Sequence, residues 1–156
     1  MLSFFEIVQT ILLLLITAVT TYIAYHLFRT NKDKSNYGLF ESRLVIYREV
    51  IRMISLVTRD GDISSDELLS FRAKTYESNF LFDKDLADYI DELYSRGMKL
   101  RTTNDLLKSP ALPIGEKRDD VTVQNSKQLI WLADQLPMVK KRFIKYLQIP
   151  DVNSQT

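Results

Sequence analysis

Apolar positions follow two different patterns along this chain. Over residues 7–28 they are nearly continuous: no Asp, Glu, Lys or Arg appears, and the centre reads Ile11-Leu12-Leu13-Leu14-Leu15-Ile16. As a helix rising 1.5 Å per residue this stretch reaches roughly 33 Å, enough to cross a hydrocarbon layer of about 30 Å. Six central Leu and Ile, at about −0.5 kcal/mol each, favour insertion by roughly 3 kcal/mol. A soluble helix of this length carries a polar stripe, and this one has none. Phe4 and Phe5 lie at one edge and Tyr22 and Tyr25 near the other, where interfacial aromatics belong. The pattern predicts an N-terminal transmembrane anchor over residues 1–28.

A cleaved signal peptide starts with positive charge and ends at a small-x-small site. Here Glu6 is the only charged side chain before the apolar run, which ends Tyr25-His26-Leu27-Phe28. An uncleaved anchor fits better. Arg29, Lys32 and Lys34 follow the helix and no Lys or Arg precedes it. By the positive-inside rule the N-terminus is outside and the remainder cytoplasmic. Thr10, Thr17 and Ala24 recur at seven-residue spacing, and Thr17 with Thr21, and Thr20 with Ala24, form small-xxx-small pairs. They are candidates for a helix-association face within the membrane. The competing reading is that each hydroxyl bonds the carbonyl four residues back. His26 is read as an interfacial residue rather than a ligand.

Residues 29–38 are polar and rich in turn formers, and read as a juxtamembrane linker. From residue 39 the apolar positions become periodic, predicting a cytoplasmic helical domain over 39–149 and a loose tail over 150–156. In the first helix Phe40, Leu44, Tyr47, Ile51, Ile54 and Val57 share helical spacing, and Asp60-Gly61 stops it. Ser64 and Glu67 stand at capping-box spacing and Ile63 with Leu68 forms a hydrophobic staple, so a second helix starts there. Leu68, Leu69, Phe71 and Tyr76 give it an apolar side. Phe80-Leu81-Phe82 precedes Asp83, an N-cap for a third helix with Leu86, Ile90, Leu93, Gly97 and Leu100 on one face. After the break at 109–115 a fourth pattern builds from Glu116, with Val121, Leu129, Leu132 and Leu136 toward the core. Pro137 kinks or restarts this helix, and Val139, Phe143, Tyr146 and Leu147 continue the face. The fold class expected is all-α: an N-terminal transmembrane helix followed by a bundle of four helices, or five if Pro137 divides the last.

Composition narrows the chemistry. The chain has 156 residues, no cysteine, one histidine and a formal net charge of +1. Thiolate metal sites, disulfides and Ser-His-Asp catalysis in the folded domain are excluded, and the near-neutral balance speaks against specific nucleic-acid binding. Four glycines form no phosphate-cradling loop. The stretch 60–67 has the glycine and final glutamate of a calcium loop, but Leu56 and Thr58 occupy positions that need carboxylates, so a tight corner explains it better. Magnesium on Asp85 and Asp88 rests on a single carboxylate pair. The chain therefore reads as no enzyme, with no metal or cofactor.

Two basic features remain. Arg48, Arg52 and Arg59 share a stripe of the first helix and are candidates to bind an anion, or to pair with acids such as Asp85 or Asp88 on a neighbouring helix. Lys140, Lys141, Arg142 and Lys145 cluster near the C-terminus and are candidates for contact with an anionic membrane surface. The stretches 39–47 (Leu-Phe-Glu-Ser-Arg-Leu-Val-Ile-Tyr) and 80–90 (Phe-Leu-Phe-Asp-Lys-Asp-Leu-Ala-Asp-Tyr-Ile) resemble a group of small, uncharacterised bacterial proteins. Those proteins often carry one N-terminal anchor and a cytosolic helical region. The resemblance covers most of residues 39–147, implies a bacterial origin and carries no activity or functional residue. The expectation is a single-pass protein of the bacterial inner membrane. Its partners would be the lipid bilayer, an unidentified protein and a second copy of itself, its domain recruiting or assembling a protein partner. The alternative is a ligand-responsive membrane effector of an antiviral or stress response, sensing an anion such as a nucleotide through the arginine stripe.

Overall fold

A computed structural model describes residues 4–148, with backbone alone for residue 5 and residues 29–36. The expected tail at 150–156 lies outside the described residues. The fold is all-α. Helix α1 is Phe4–Asp60, α2 Ser65–Thr75, α3 Ser78–Leu81, α4 Lys84–Lys108 and α5 Glu116–Phe143, followed by one 3-10 turn, Ile144–Tyr146. The chain divides into two compact units, Met1–Leu39 and Phe40–Thr156.

In the first unit Glu6–Phe28 is a helical stretch of mean hydropathy 2.1 with none of its residues buried, long and apolar enough to cross a membrane. The turn-forming residues at 29–38 do not break the helix: backbone there is helical within α1. The composition allows this, because Asn, Asp, Ser and Lys each cost well under 1 kcal/mol in a helix, proline is absent, and Gly38 is the single strong breaker.

The second unit gathers around a core built by Val50, Met53, Ile54 and Val57 of α1, Leu68 and Phe71 of α2, Ile90, Leu93 and Leu100 of α4, and Leu132, Val139 and Phe143 of α5. Capping fixes where the helices begin. The Ser64 hydroxyl accepts from the Glu67 N–H at 3.1 Å, and the Asp83 carboxylate from the Leu86 N–H at 3.1 Å, satisfying donors that a helix start leaves orphaned. Gly61 ends α1 in the left-handed region (φ 65°), its N–H bonded to the Val57 carbonyl at 2.9 Å. The corner is then tied to α4. Asp62 accepts from Asn104 at 2.7 Å and from Lys108 at 2.6 Å, while Asn104 also reaches the Gly61 carbonyl at 3.1 Å. A Cβ on Gly97 would stand 2.7 Å from the Met53 methyl and 2.8 Å from a Leu68 methyl, so α4 approaches both closely there.

Some core positions differ from the sequence pattern. In α1 the buried face is Ile46, Val50, Met53, Ile54 and Val57, whereas Phe40 and Leu44 are half-buried. The apolar stripe is wide enough to hold both faces, and the partner helices select which one turns inward. Leu69 and Tyr76, expected on the apolar side of α2, are exposed; Thr75 takes the inward place, its hydroxyl bonded to the Phe71 carbonyl at 2.8 Å. Leu136, expected toward the core, is exposed. Pro137 lies inside α5 without dividing it. It forfeits one backbone bond but is exposed, and Gln135 and Val139 around it stay buried. The additional helix is instead the single turn α3.

Candidate functional site

The arginine stripe resolves into separate structural roles. Glu49 is only 4% exposed, which makes an unpaired carboxylate there costly. Arg52 meets it through two nitrogens, at 2.6 and 3.0 Å, and Lys74 reaches it from α2 at 3.2 Å. The same Arg52 guanidinium also pairs with Glu67 at the start of α2. Burial pushes the Glu49 carboxyl up, but the hydrogen bonds from Arg52 and Lys74 outweigh it and hold it below its ordinary value. The Arg52 charge is stabilised in turn by Glu49 and Glu67. Arg59 is exposed and engages its neighbour Asp60 at 2.7 and 2.8 Å, while Arg48 stands exposed on α1. The three arginines therefore do not converge on an open cradle. Arg52, the most buried of them, is occupied by two carboxylates of this chain, and neither is Asp85 or Asp88, which are both exposed.

The basic C-terminal cluster is also divided. Lys145 pairs with Asp83 at 2.7 Å, joining the final 3-10 turn to the start of α4, and lies over the Tyr146 ring at 4.7 Å. That lysine, with the Leu86 N–H, draws the Asp83 carboxyl down to about 2. The Arg142 guanidinium stacks over the Tyr89 ring, 4.3 Å from its centroid. Tyr89 is buried, its hydroxyl has no hydrogen-bond partner among the described residues, and burial pushes that group up to about 12. Lys140 and Lys141 remain exposed and are the members of the cluster left to meet another surface.

In the apolar helix every threonine of the proposed association face bonds its own backbone. Thr10, Thr17, Thr20 and Thr21 donate to carbonyls four residues back at 2.8–2.9 Å, and Ala24 lies exposed on the same helix. Their hydroxyls are thus satisfied within α1, leaving small size as what this face offers a neighbour. His26 packs its ring against Tyr22, centroids 4.8 Å apart.

Arginines that the sequence pattern did not single out tie the second unit together. Arg43 donates to the Leu81 carbonyl at 3.0 Å and to the Tyr146 carbonyl at 3.4 Å, closing the ends of α3 and of the 3-10 turn onto α1. Arg118 donates to the Leu107 and Leu112 carbonyls at 2.8 and 3.1 Å, fixing the loop before α5. Arg96 lies 4.1 Å over the Trp131 ring and Arg72 pairs with Asp91, so guanidinium groups also link α4 to α5 and α2 to α4. Apart from those of Arg118, whose partners lie six and eleven residues back, these are contacts of high sequence separation, and no local motif announces them.

One open groove of about 380 Å³ runs between α4 and α5, lined by Ser95, Met98, Lys99, Thr102, Gln124 and Gln128 among others. Its walls are neutral or singly basic and hold no paired carboxylates. Among the described residues no three acidic or histidine side chains gather where they could hold a metal ion. Comparison with known proteins finds no family model, no curated protein and no solved structure that matches this chain.

Proposed function

We propose that this chain is a membrane-anchored helical interaction module of the bacterial inner membrane. Residues 7–28 lodge in lipid, the N-terminus lies outside, and the unit from Phe40 onward faces the cytoplasm, where it recruits or assembles a protein partner. The observation that carries this reading is the Glu6–Phe28 stretch, in which no residue is buried at a mean hydropathy of 2.1. Left in water, that surface is a strong drive toward association or insertion. Arg29, Lys32 and Lys34 on its C-terminal side support the orientation. An interaction role is supported by the way the charges of the second unit are used: Arg52, Arg72, Arg96 and Arg118 are committed to holding helices together.

Labelling tests it directly, because the chain has no cysteine. Ser55→Cys on the exposed side of α1 should resist an impermeant maleimide in intact spheroplasts and react once the membrane is opened. Reaction in intact spheroplasts, or recovery of the chain in the soluble fraction, would overturn the reading.

A further inference from the structure

The outward face of α5 carries a line of apolar residues that is left exposed. Val123, Ile130 and Pro137 recur every seven residues, a spacing that drifts only about 20° per repeat and so keeps them on one side of the helix. All three are exposed, Val123 at 52% and Ile130 at 61%, while Leu132, Gln135 and Val139 occupy the buried side. The charges around this apolar line are ordered. Glu116, Asp119 and Asp120 stand at its N-terminal end, Lys140 and Lys141 at its C-terminal end, with Lys127 and Asp134 on either side of Ile130. All seven are exposed, and none forms an ion pair with a described residue of the chain.

We infer that two copies of this chain pair antiparallel through the outward face of α5, with a two-fold axis at Ile130. In a two-fold contact each residue meets the one equally far beyond the axis. Asp119 and Lys141 are each eleven positions from Ile130, Asp120 and Lys140 each ten, and Val123 and Pro137 each seven. Lys127 and Asp134 fall within one position of the same symmetry. Asp119 thereby faces Lys141 and Asp134 faces Lys127, the apolar residues face one another with Ile130 against its own copy, and Glu116, fourteen positions out, has Ile144 opposite it. A parallel pairing would set acids against acids at one end and lysines against lysines at the other, and like charges across a contact select against it. This inference deepens the interaction-module reading by naming one partner.

Cysteine crosslinking of the full chain decides it. Under mild oxidation Ile130→Cys should yield a covalent dimer. Asp119→Cys alone should not, since two such positions lie roughly 33 Å apart in the antiparallel pair. Asp119→Cys expressed together with Lys141→Cys should crosslink. Reversing Asp119 and Asp120 to lysine should slow Ile130→Cys crosslinking roughly ten-fold, and adding Lys140→Asp and Lys141→Asp should restore it. Self-crosslinking of Asp119→Cys, no dimer from Ile130→Cys, or its capture solely by a different protein would each overturn the inference. Crosslinking is scored in whichever fraction carries the chain, so a failure of membrane anchoring and a failure of pairing are read apart.

Discussion

The two units use the same aliphatic residues to opposite ends. In Glu6–Phe28 leucine and isoleucine surround the helix and none of these residues is buried. In the unit from Phe40 they keep to one side of each helix and close a core in which Val50, Ile54, Leu93 and Phe143 are inaccessible. Threonine behaves alike in both: Thr17 bonds the Leu13 carbonyl and Thr75 the Phe71 carbonyl. The lesson is that residue type does not distinguish the regions. What distinguishes them is whether charge interrupts the apolar surface: where it does, neighbouring helices cover the apolar side, and where it does not, the apolar residues stay exposed.

Substitutions sharpen this contrast, beginning with the largest expected effect. Leu13→Arg with Leu14→Arg places two charges at the centre of the apolar helix at about 2.5–3.5 kcal/mol each, more than cancelling its insertion energy. The chain should leave the membrane fraction, while circular dichroism shows its helices retained. Phe143→Ala should do the reverse. It empties a core site packed against Tyr47 and Phe82 and should destabilise the second unit by about 3–5 kcal/mol in chemical unfolding, leaving membrane partitioning unchanged.

Arg52→Ala should cost about 2 kcal/mol. That is less than the roughly 3–5 kcal/mol of a fully buried pair, because Arg52 is partly exposed and Lys74 still reaches Glu49. Acid should act on the same network. Glu49 and Asp83 both have depressed folded values, so their contributions are complete above the ordinary carboxyl values of 4.5 and 3.8 and are lost as pH falls through the folded ones. A plot of unfolding midpoint against pH should be flat above about pH 5 and fall below it. Asp83→Asn should remove the part of the fall that extends toward pH 2. The smallest effect has the opposite sign. Tyr89→Phe deletes a buried hydroxyl without a partner among the described residues and keeps the ring beneath Arg142, so the unfolding midpoint should rise, by about 1 kcal/mol of stability.

Much of this architecture is legible in the sequence. The uninterrupted run at 7–28, the caps Ser64 and Asp83, the stop at Gly61, the break at 109–115 and the face Leu86, Ile90, Leu93, Gly97 and Leu100 are local signals, and local rules read them. The rotation of α1 that buries Ile46, Val50 and Met53 is not local, because its apolar stripe is wide and its partners choose the angle. Nor can one helix reveal that Arg52 is shared between Glu49 and Glu67, or that Arg43 closes onto Leu81 and Tyr146; those pairings exist only once the chain is folded. Pro137 shows the reverse case, a strong local rule overridden because the helices around it hold α5 together. The outward face of α5 was present in the sequence throughout, but reading it depends on knowing that Leu132 and Val139 face inward and that the charges beside Ile130 form no ion pair with the described residues.

Alkaline extraction of membranes carrying the full-length chain, without detergent, tests the central claim most directly. An anchored helix stays with the pelleted lipid after the wash and is released only by detergent. Recovery of the chain in the aqueous supernatant would show that Glu6–Phe28 is not lodged in a bilayer and would contradict the account.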